Sequence, residues 1–153
     1  MEQPRLIVMA GAPGSGKSTY VEENFPGAAV VSADHFMVNA EGVYEFYPKK
    51  LSLVHRKCRQ WFYTLVAEKA PFIVVDNTNS QPEEVRTFTS YAARAGYQIR
   101  VVIILANPMV ATVRGIHGAP YETVRRVNRN CERLSGLLPD LEVEVVDHRA
   151  HSH

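Results

Sequence analysis

The stretch "GAPGSGKST", Gly11 to Thr19, follows the apolar run "LIVMA" and restricts the possible folds more than any other feature of the chain. Gly11, Gly16, Lys17 and Ser18 satisfy G-x-x-x-x-G-K-[ST] in the setting that pattern requires, a strand before and a helix after. Glycines there let successive backbone N–H groups turn inward on phosphate oxygens, and the following helix adds its positive N-terminal end. Gly11, Ala12, Pro13, Gly14, Ser15, Gly16, Lys17, Ser18 and Thr19 are thus expected to cradle the phosphates of ATP. Lys17 is expected to reach the β- and γ-phosphates and Ser18 to ligate Mg²⁺. The alternative is a glycine turn that only tightens a strand-to-helix corner.

A loop of this kind is met in α/β proteins, and the rest of the chain agrees. Val- and Ile-rich runs at 5–10, 28–32, 72–76, 98–105 and 142–147 read as strands buried on both faces, as in a parallel sheet. Helical patterns alternate with them. One begins near Pro48 and repeats apolar residues at Leu51, Val54, Cys58, Trp61 or Phe62, and Leu65. A second opens with Ser80 three residues before Glu83, a capping box with Pro82 in its first turn, and closes at Gly96. A third runs from about Pro120 to Leu134. The segment "VRGIHGAP" before it, with two glycines and a proline, reads as a lid over about 112–122.

Length and composition narrow the remaining classes. The 153 residues, 46% hydrophobic and 22% charged, suit a single domain spanning 1–153. A formal net charge of +1 provides no global field toward nucleic acid or a membrane, so such a partner requires a local patch. No apolar run approaches the roughly 18 residues of a membrane span, and the expectation is a cytoplasmic protein. Cys58 and Cys131 lack metal-ligand spacing and read as small buried thiols in a reducing compartment. His148, His151 and His153 fall in a tail, 148–153, that reads as disordered and solvated rather than metal-binding.

The destination of the γ-phosphate turns on a few residues. Asn77 follows Asp76, where a hydrolytic enzyme commonly has a glutamate to polarise water, and no N-K-x-D guanine motif is present. Asp34, just past the second strand, should instead share the crevice at the strand ends with the γ-phosphate. A carboxylate there can take the proton of an attacking hydroxyl, although capping the next helix is the competing use of such an Asp. Asp76 is expected to hold Mg²⁺ or simply to close its strand. Asn77, Thr78 and Asn79 would orient a polar acceptor or form an ordinary turn. Arg114, in the lid, can bring positive charge over the transferring phosphoryl. Arg125, Arg126, Arg129 and Arg133 on the next helix read as a solvated basic face.

In the order "GAPGSGKST", "VSADHF", "VVDNTNSQPEEVRTFTSYAARAGYQIRVVII" and "VRGIHGAP", the chain resembles the kinase domain of phage-type polynucleotide 5′-hydroxyl kinases and their single-domain P-loop relatives, from residue 5 to about 134. The resemblance implies a five-stranded parallel sheet flanked by helices, ATP with Mg²⁺, Asp34 as general base and Arg114 as lid arginine. Two positions depart from that pattern. Met37 stands where such kinases tend to carry an Arg that grips an acceptor phosphate, and Gly115 stands where relatives often have Asn. The expected acceptor is a nucleic-acid hydroxyl, either a strand's 5′ end or a hydroxymethylated base in DNA. Lys49, Lys50, Arg56, Lys57 and Arg59 form a basic run near Tyr44, Phe46 and Tyr47, which could stack bases. An apolar Met37 would suit a flipped base. The alternatives are a kinase of small molecules such as sugars, nucleosides or antibiotics, and an ATP-gated binding module.

Overall fold

In a computed structural model, residues 2–37, 41–42 and 51–150 are described. Pro48, Lys49, Lys50, Tyr44, Phe46, Tyr47, His151 and His153 lie outside the described residues. The chain runs β1 (Arg5–Gly11), α1 (Lys17–Asn24), β2 (Ala29–Val31), a 3₁₀ turn (Ala33–Phe36), α2 (Leu51–Ala67), β3 (Phe72–Asp76), α3 (Pro82–Arg94), β4 (Gln98–Leu105), α4 (Pro108–Arg114), α5 (Tyr121–Leu134), a second 3₁₀ turn (Ser135–Leu137) and β5 (Val143–Asp147).

All strand pairs are parallel, in the order β2-β3-β1-β4-β5. β1 sits in the centre, which is why Leu6 to Ala10 are all buried and the strand reads as one apolar run. Alternate residues feed two cores. Leu6, Val8, Ala10, Ile73, Val75, Val101 and Ile103 meet the buried stripes of α2, α3 and α5. Ile7, Met9, Val74, Val102 and Ile104 meet α1 through Val21. One face thus carries three helices and the other carries α1, with a Tyr20–Phe25–Phe72 edge-to-face cluster filling out the thinner side.

The helices refine the sequence reading. On α2 the buried stripe is Val54, Cys58, Phe62 and Leu65, while Trp61 is 46% exposed and Leu51 lies at the margin. Phe62, not Trp61, continues the stripe because it falls four residues after Cys58, and its ring meets Phe88 of α3 edge-on at 5.0 Å. The capping box of α3 is shifted by one residue from the expected Ser80–Glu83 pair. Gln81 is the N-cap, Pro82 opens the helix, and the Glu84 carboxylate accepts the Gln81 backbone N–H at 3.2 Å. Gly96 follows the helix end at φ +87°, a conformation that suits glycine. Cys58 and Cys131 are free and buried as expected, and burial pushes both thiols up to about 11.

Candidate active site at the strand ends

β1 ends at Gly11, and the chain turns through the phosphate-binding loop into α1 at Lys17. Two glycines adopt positive φ in that turn, Gly14 at +77° and Gly16 at +97°. Gly14 is required twice over, because a Cβ there would lie 2.0 Å from the Ala111 carbonyl oxygen of α4. Lys17 folds over the loop, its Nζ donating to the carbonyls of Gly11 (3.0 Å) and Ala12 (3.2 Å). Desolvation holds the ammonium below its ordinary pKa, with the charge of Asp76 acting the other way. Ser15 is buried, and its Oγ is the buried side-chain polar atom without a partner among the described residues. Leaving a buried hydroxyl unpaired is costly. A hydroxyl donor, an ammonium and inward-turned amides make a donor set that fits phosphate oxygens.

Asp76, at the end of β3, is buried and accepts a hydrogen bond from Ser18 Oγ at 3.0 Å. Burial raises its pKa, opposed by Lys17 and by the Ser18 hydroxyl. One carboxylate beside one hydroxyl is a donor set that fits Mg²⁺ when phosphates and water complete the shell. No cluster of three or more His, Cys, Asp or Glu side chains among the described residues could hold a metal by itself.

Asp34 lies in the 3₁₀ turn after β2. Ser32, not Asp34, caps that turn: its Oγ accepts the Asp34 backbone N–H at 3.2 Å. The capping use of Asp34 is thereby taken by another side chain, and its carboxylate projects about half exposed. Toward it comes His117, from the segment between α4 and α5, with Nε2 3.7 Å from Asp34 Oδ2. Arg114 ends α4 on the same arm and is exposed, as are Val113 and Ile116, at 86% and 89%. Arg125, Arg126, Arg129 and Arg133 are exposed on α5, and Arg125 pairs with Glu122 on its own helix at 3.5 Å.

The segment after Asp76 ties the two sides together. Asn77 Oδ1 accepts the Ala33 N–H at 2.7 Å, fixing the turn that carries Asp34. The Thr78 carbonyl accepts the Gly11 N–H at 2.9 Å. Asn79, at φ +44° and 3% exposed, donates through Nδ2 to the Met9 carbonyl at 2.8 Å. Met37 is likewise buried, at 3%. Of the residues expected to orient an acceptor, Asn79 and Met37 are thus buried, and Asn77 holds the turn that carries Asp34. Sequence reasoning missed His117 and Ser32. The Ser-x-Asp spacing at 32–34 is a local signal for the latter, whereas nothing local joins His117 to Asp34.

A family model described as "AAA domain" matches residues 6–115. Among curated proteins, human NEDD4-binding protein 2 is 28% identical over 137 residues, covering 84% of this chain and 8% of its own length. The chain therefore spans less than a tenth of that relative. Among solved structures, AvrRxo1-ORF1:-ORF2 with ATP superposes with a TM-score of 0.70 at 19% identity, covering 90% of this chain and 50% of that one. The Pnkp1/Rnl/Hen1 RNA repair complex gives 0.69 at 17%, with 90% and 47% covered. A sugar kinase from Janibacter sp. HTCC2649 gives 0.58 at 17%, with 94% and 85% covered.

Proposed function

The chain belongs to the AAA domain family and has the P-loop kinase fold, and from that premise we propose that it transfers the γ-phosphate of ATP to a hydroxyl group on nucleic acid. The observation that carries this reading is the position of Asp34. Ser32 caps its turn in its place, Asn77 holds that turn through the Ala33 N–H, and the carboxylate is left to act at the strand-end crevice beside the Ser18–Asp76 pair.

Lys17, the loop amides and Ser15 would hold the triphosphate, and Ser18 with Asp76 would hold Mg²⁺, which supplies charge neutralisation at the phosphates. The acceptor hydroxyl gives its proton to Asp34 as its oxygen bonds to the γ-phosphorus. The bond from that phosphorus to the β–γ bridging oxygen breaks, and ADP leaves. Arg114, exposed at the end of α4, is the lid cation for the equatorial oxygens. Asn77 in place of a glutamate after Asp76 supports transfer to a hydroxyl over transfer to water.

The nucleic-acid acceptor is supported by the sequence resemblance and by the fold shared with a component of an RNA repair complex. A small-molecule acceptor is supported by the near-neutral net charge and the likeness to a sugar kinase. The test is incubation of the chain with labelled ATP and Mg²⁺ against 5′-hydroxyl DNA and RNA oligonucleotides, closed circular DNA with and without hydroxymethylated bases, nucleosides and sugars. Label on polynucleotides is the expected result. Labelled circles would select the base hydroxyl over the strand end. Label confined to sugars or nucleosides would overturn the nucleic-acid reading, and no label beyond inorganic phosphate would overturn hydroxyl transfer altogether.

A further inference from the structure

The arm made by α4 and the residues after it touches both halves of the crevice. Its root is fixed: Asn107 caps α4, its side-chain oxygen accepting the N–H groups of Met109 (3.0 Å) and Val110 (3.3 Å), and the buried Asn128 Oδ1 accepts the Ala106 N–H at 3.0 Å. Further along, the backbone of the arm rests on the phosphate-binding loop. A Cβ on Gly14 would meet the Ala111 carbonyl oxygen at 2.0 Å and Gly115 Cα at 3.2 Å. Three residues beyond Arg114 the same arm reaches the turn after β2, where His117 meets Asp34. Arg114 therefore lies in sequence between the contact with the loop and the contact with Asp34.

The geometry at Asp34 divides its two carboxylate oxygens. His117 Nε2 lies 3.7 Å from Oδ2, beyond hydrogen-bond length and within ion-pair range, with the two side chains 34% and 54% exposed. A proton on Nε2 donates toward that oxygen whether the ring is neutral or charged. No partner of Oδ1 is found among the described residues. The backbone under the carboxylate is already held, by Ser32 at the Asp34 N–H and by Asn77 at the Ala33 N–H. What remains to be set is the rotation of the carboxylate itself, a broad torsion in aspartate. One donor on Oδ2 sets it.

Building on the proposed transfer reaction, we propose that His117 is the positioning residue of Asp34: it seats the arm on Oδ2 and leaves Oδ1 to take the proton of the acceptor hydroxyl. His117 keeps its own proton throughout. Contacts of this kind are often long in an unliganded enzyme and shorten in the reacting complex. Because Arg114 stands three residues earlier on the same arm, the movement that orients the base also carries the lid cation. A lid that acted through Arg114 alone would leave Asp34 indifferent to it. His117 thus bears on kcat and on the seating of the arm, and not on the affinity for either substrate.

The experiment uses the whole chain with labelled ATP, a 5′-hydroxyl DNA oligonucleotide and closed circular hydroxymethylated DNA. His117→Ala and His117→Phe, which lack the donor, should lower kcat by about twofold to fivefold, the scale of a largely exposed pair, with both KM values and the melting temperature unchanged. His117→Gln, which keeps an N–H donor, should recover most of that loss. In an Asp34→Ala background, His117→Ala should have no further effect. A second measurement needs no transfer: tryptic cleavage of the Arg114–Gly115 bond with a non-hydrolysable ATP analogue present, read by mass spectrometry. His117→Ala and Asp34→Ala should each speed it by a similar factor, and the double substitution by no more. A glutamine no better than alanine, a His117 effect undiminished without Asp34, or cleavage unmoved by either substitution overturns the inference. Transfer indifferent to His117 removes the inference and leaves the reaction standing. Equal, non-additive gains in cleavage without any labelled product remove the reaction and leave the seating of the arm on Asp34.

Discussion

The loop from Gly11 to Ser18 and the turn that carries Asp34, proposed here as the nucleotide and acceptor sides of the crevice, differ in how they are held. From Gly11 to Ser18, consecutive residues bond to one another and to Asp76: Lys17 lies on the carbonyls of Gly11 and Ala12, and Ser18 on the Asp76 carboxylate. Asp34 lies instead on the turn after β2, with Arg114 and His117 on the arm at the end of α4; Arg114 is exposed, and His117 Nε2 lies 3.7 Å from Asp34 Oδ2. The first arrangement is prepared before any ligand arrives. The second is looser, a division that suits the proposed reaction with a lid that closes over its reactants.

The sharpest way to break this contrast is Lys17→Ala. It removes the charge proposed to act on the β- and γ-phosphates, and loss of transfer by on the order of 10³-fold or more is expected, with weakened ATP binding by calorimetry. Activity within about threefold of the unmodified chain would refute the phosphate-binding role. Asp34→Asn strikes the other side. The backbone cap from Ser32 is untouched, so kcat should fall roughly 10²- to 10⁴-fold with Kd for ATP and the melting temperature preserved. A fully active Asn variant would reduce Asp34 to a structural residue.

The lid gives smaller effects. Arg114→Ala should lower kcat by about tenfold to a hundredfold while changing ATP affinity little, because a lid arginine acts mainly in the transition state. A loss confined to ATP affinity would move Arg114 to the nucleotide side of the comparison. His117→Ala should change kcat by only about twofold to fivefold at neutral pH, since its contact with Asp34 is long and partly exposed.

The smallest effect lies away from both sides, in the core that supports them. Burial pushes Cys58 and Cys131 up to about 11, above the unfolded thiol value of about 8.5. The folded state is therefore favoured by these groups below that unfolded value, and the benefit is lost as pH rises through about 11. Both thiols should resist iodoacetamide at pH 8 in the native chain and react once it is unfolded in guanidinium, as read by mass spectrometry.

Legibility in the sequence follows the same division. β3 and β4 occupy the residues that the Val and Ile runs mark, and β1 differs only by including Gly11, because strands buried on both faces leave continuous apolar signatures. The loop was legible for the same reason: its contacts are local. The α3 cap lies one residue from the expected one because Ser80 and Gln81 both precede an acidic residue at the capping interval, and the spacing alone does not choose between them. The 77–33, 79–9, 117–34 and 14–111 contacts join residues 44 or more apart. No local pattern encodes such pairs, so the bond by which the Asn79 amide braces β1 is not legible in the sequence.

The strand order has a consequence for how the chain acquires this site as it is made. β1 has β3 and β4 as its neighbours, and β2 lies beyond β3, so the first two strands to be synthesised do not touch each other. A nascent chain that has passed the end of α2 at Ala67 still holds no pair of bonded strands. Only when Phe72–Asp76 emerges can β1 and β2 be bridged, and the centre of the sheet stays open on one side until Gln98–Leu105 follows. Parallel pairing of this kind defers its reward to distant contacts. The nine residues that announce themselves most clearly in the sequence are thus among those that wait longest for their support, and Ser18 meets Asp76 only after 58 further residues have been added.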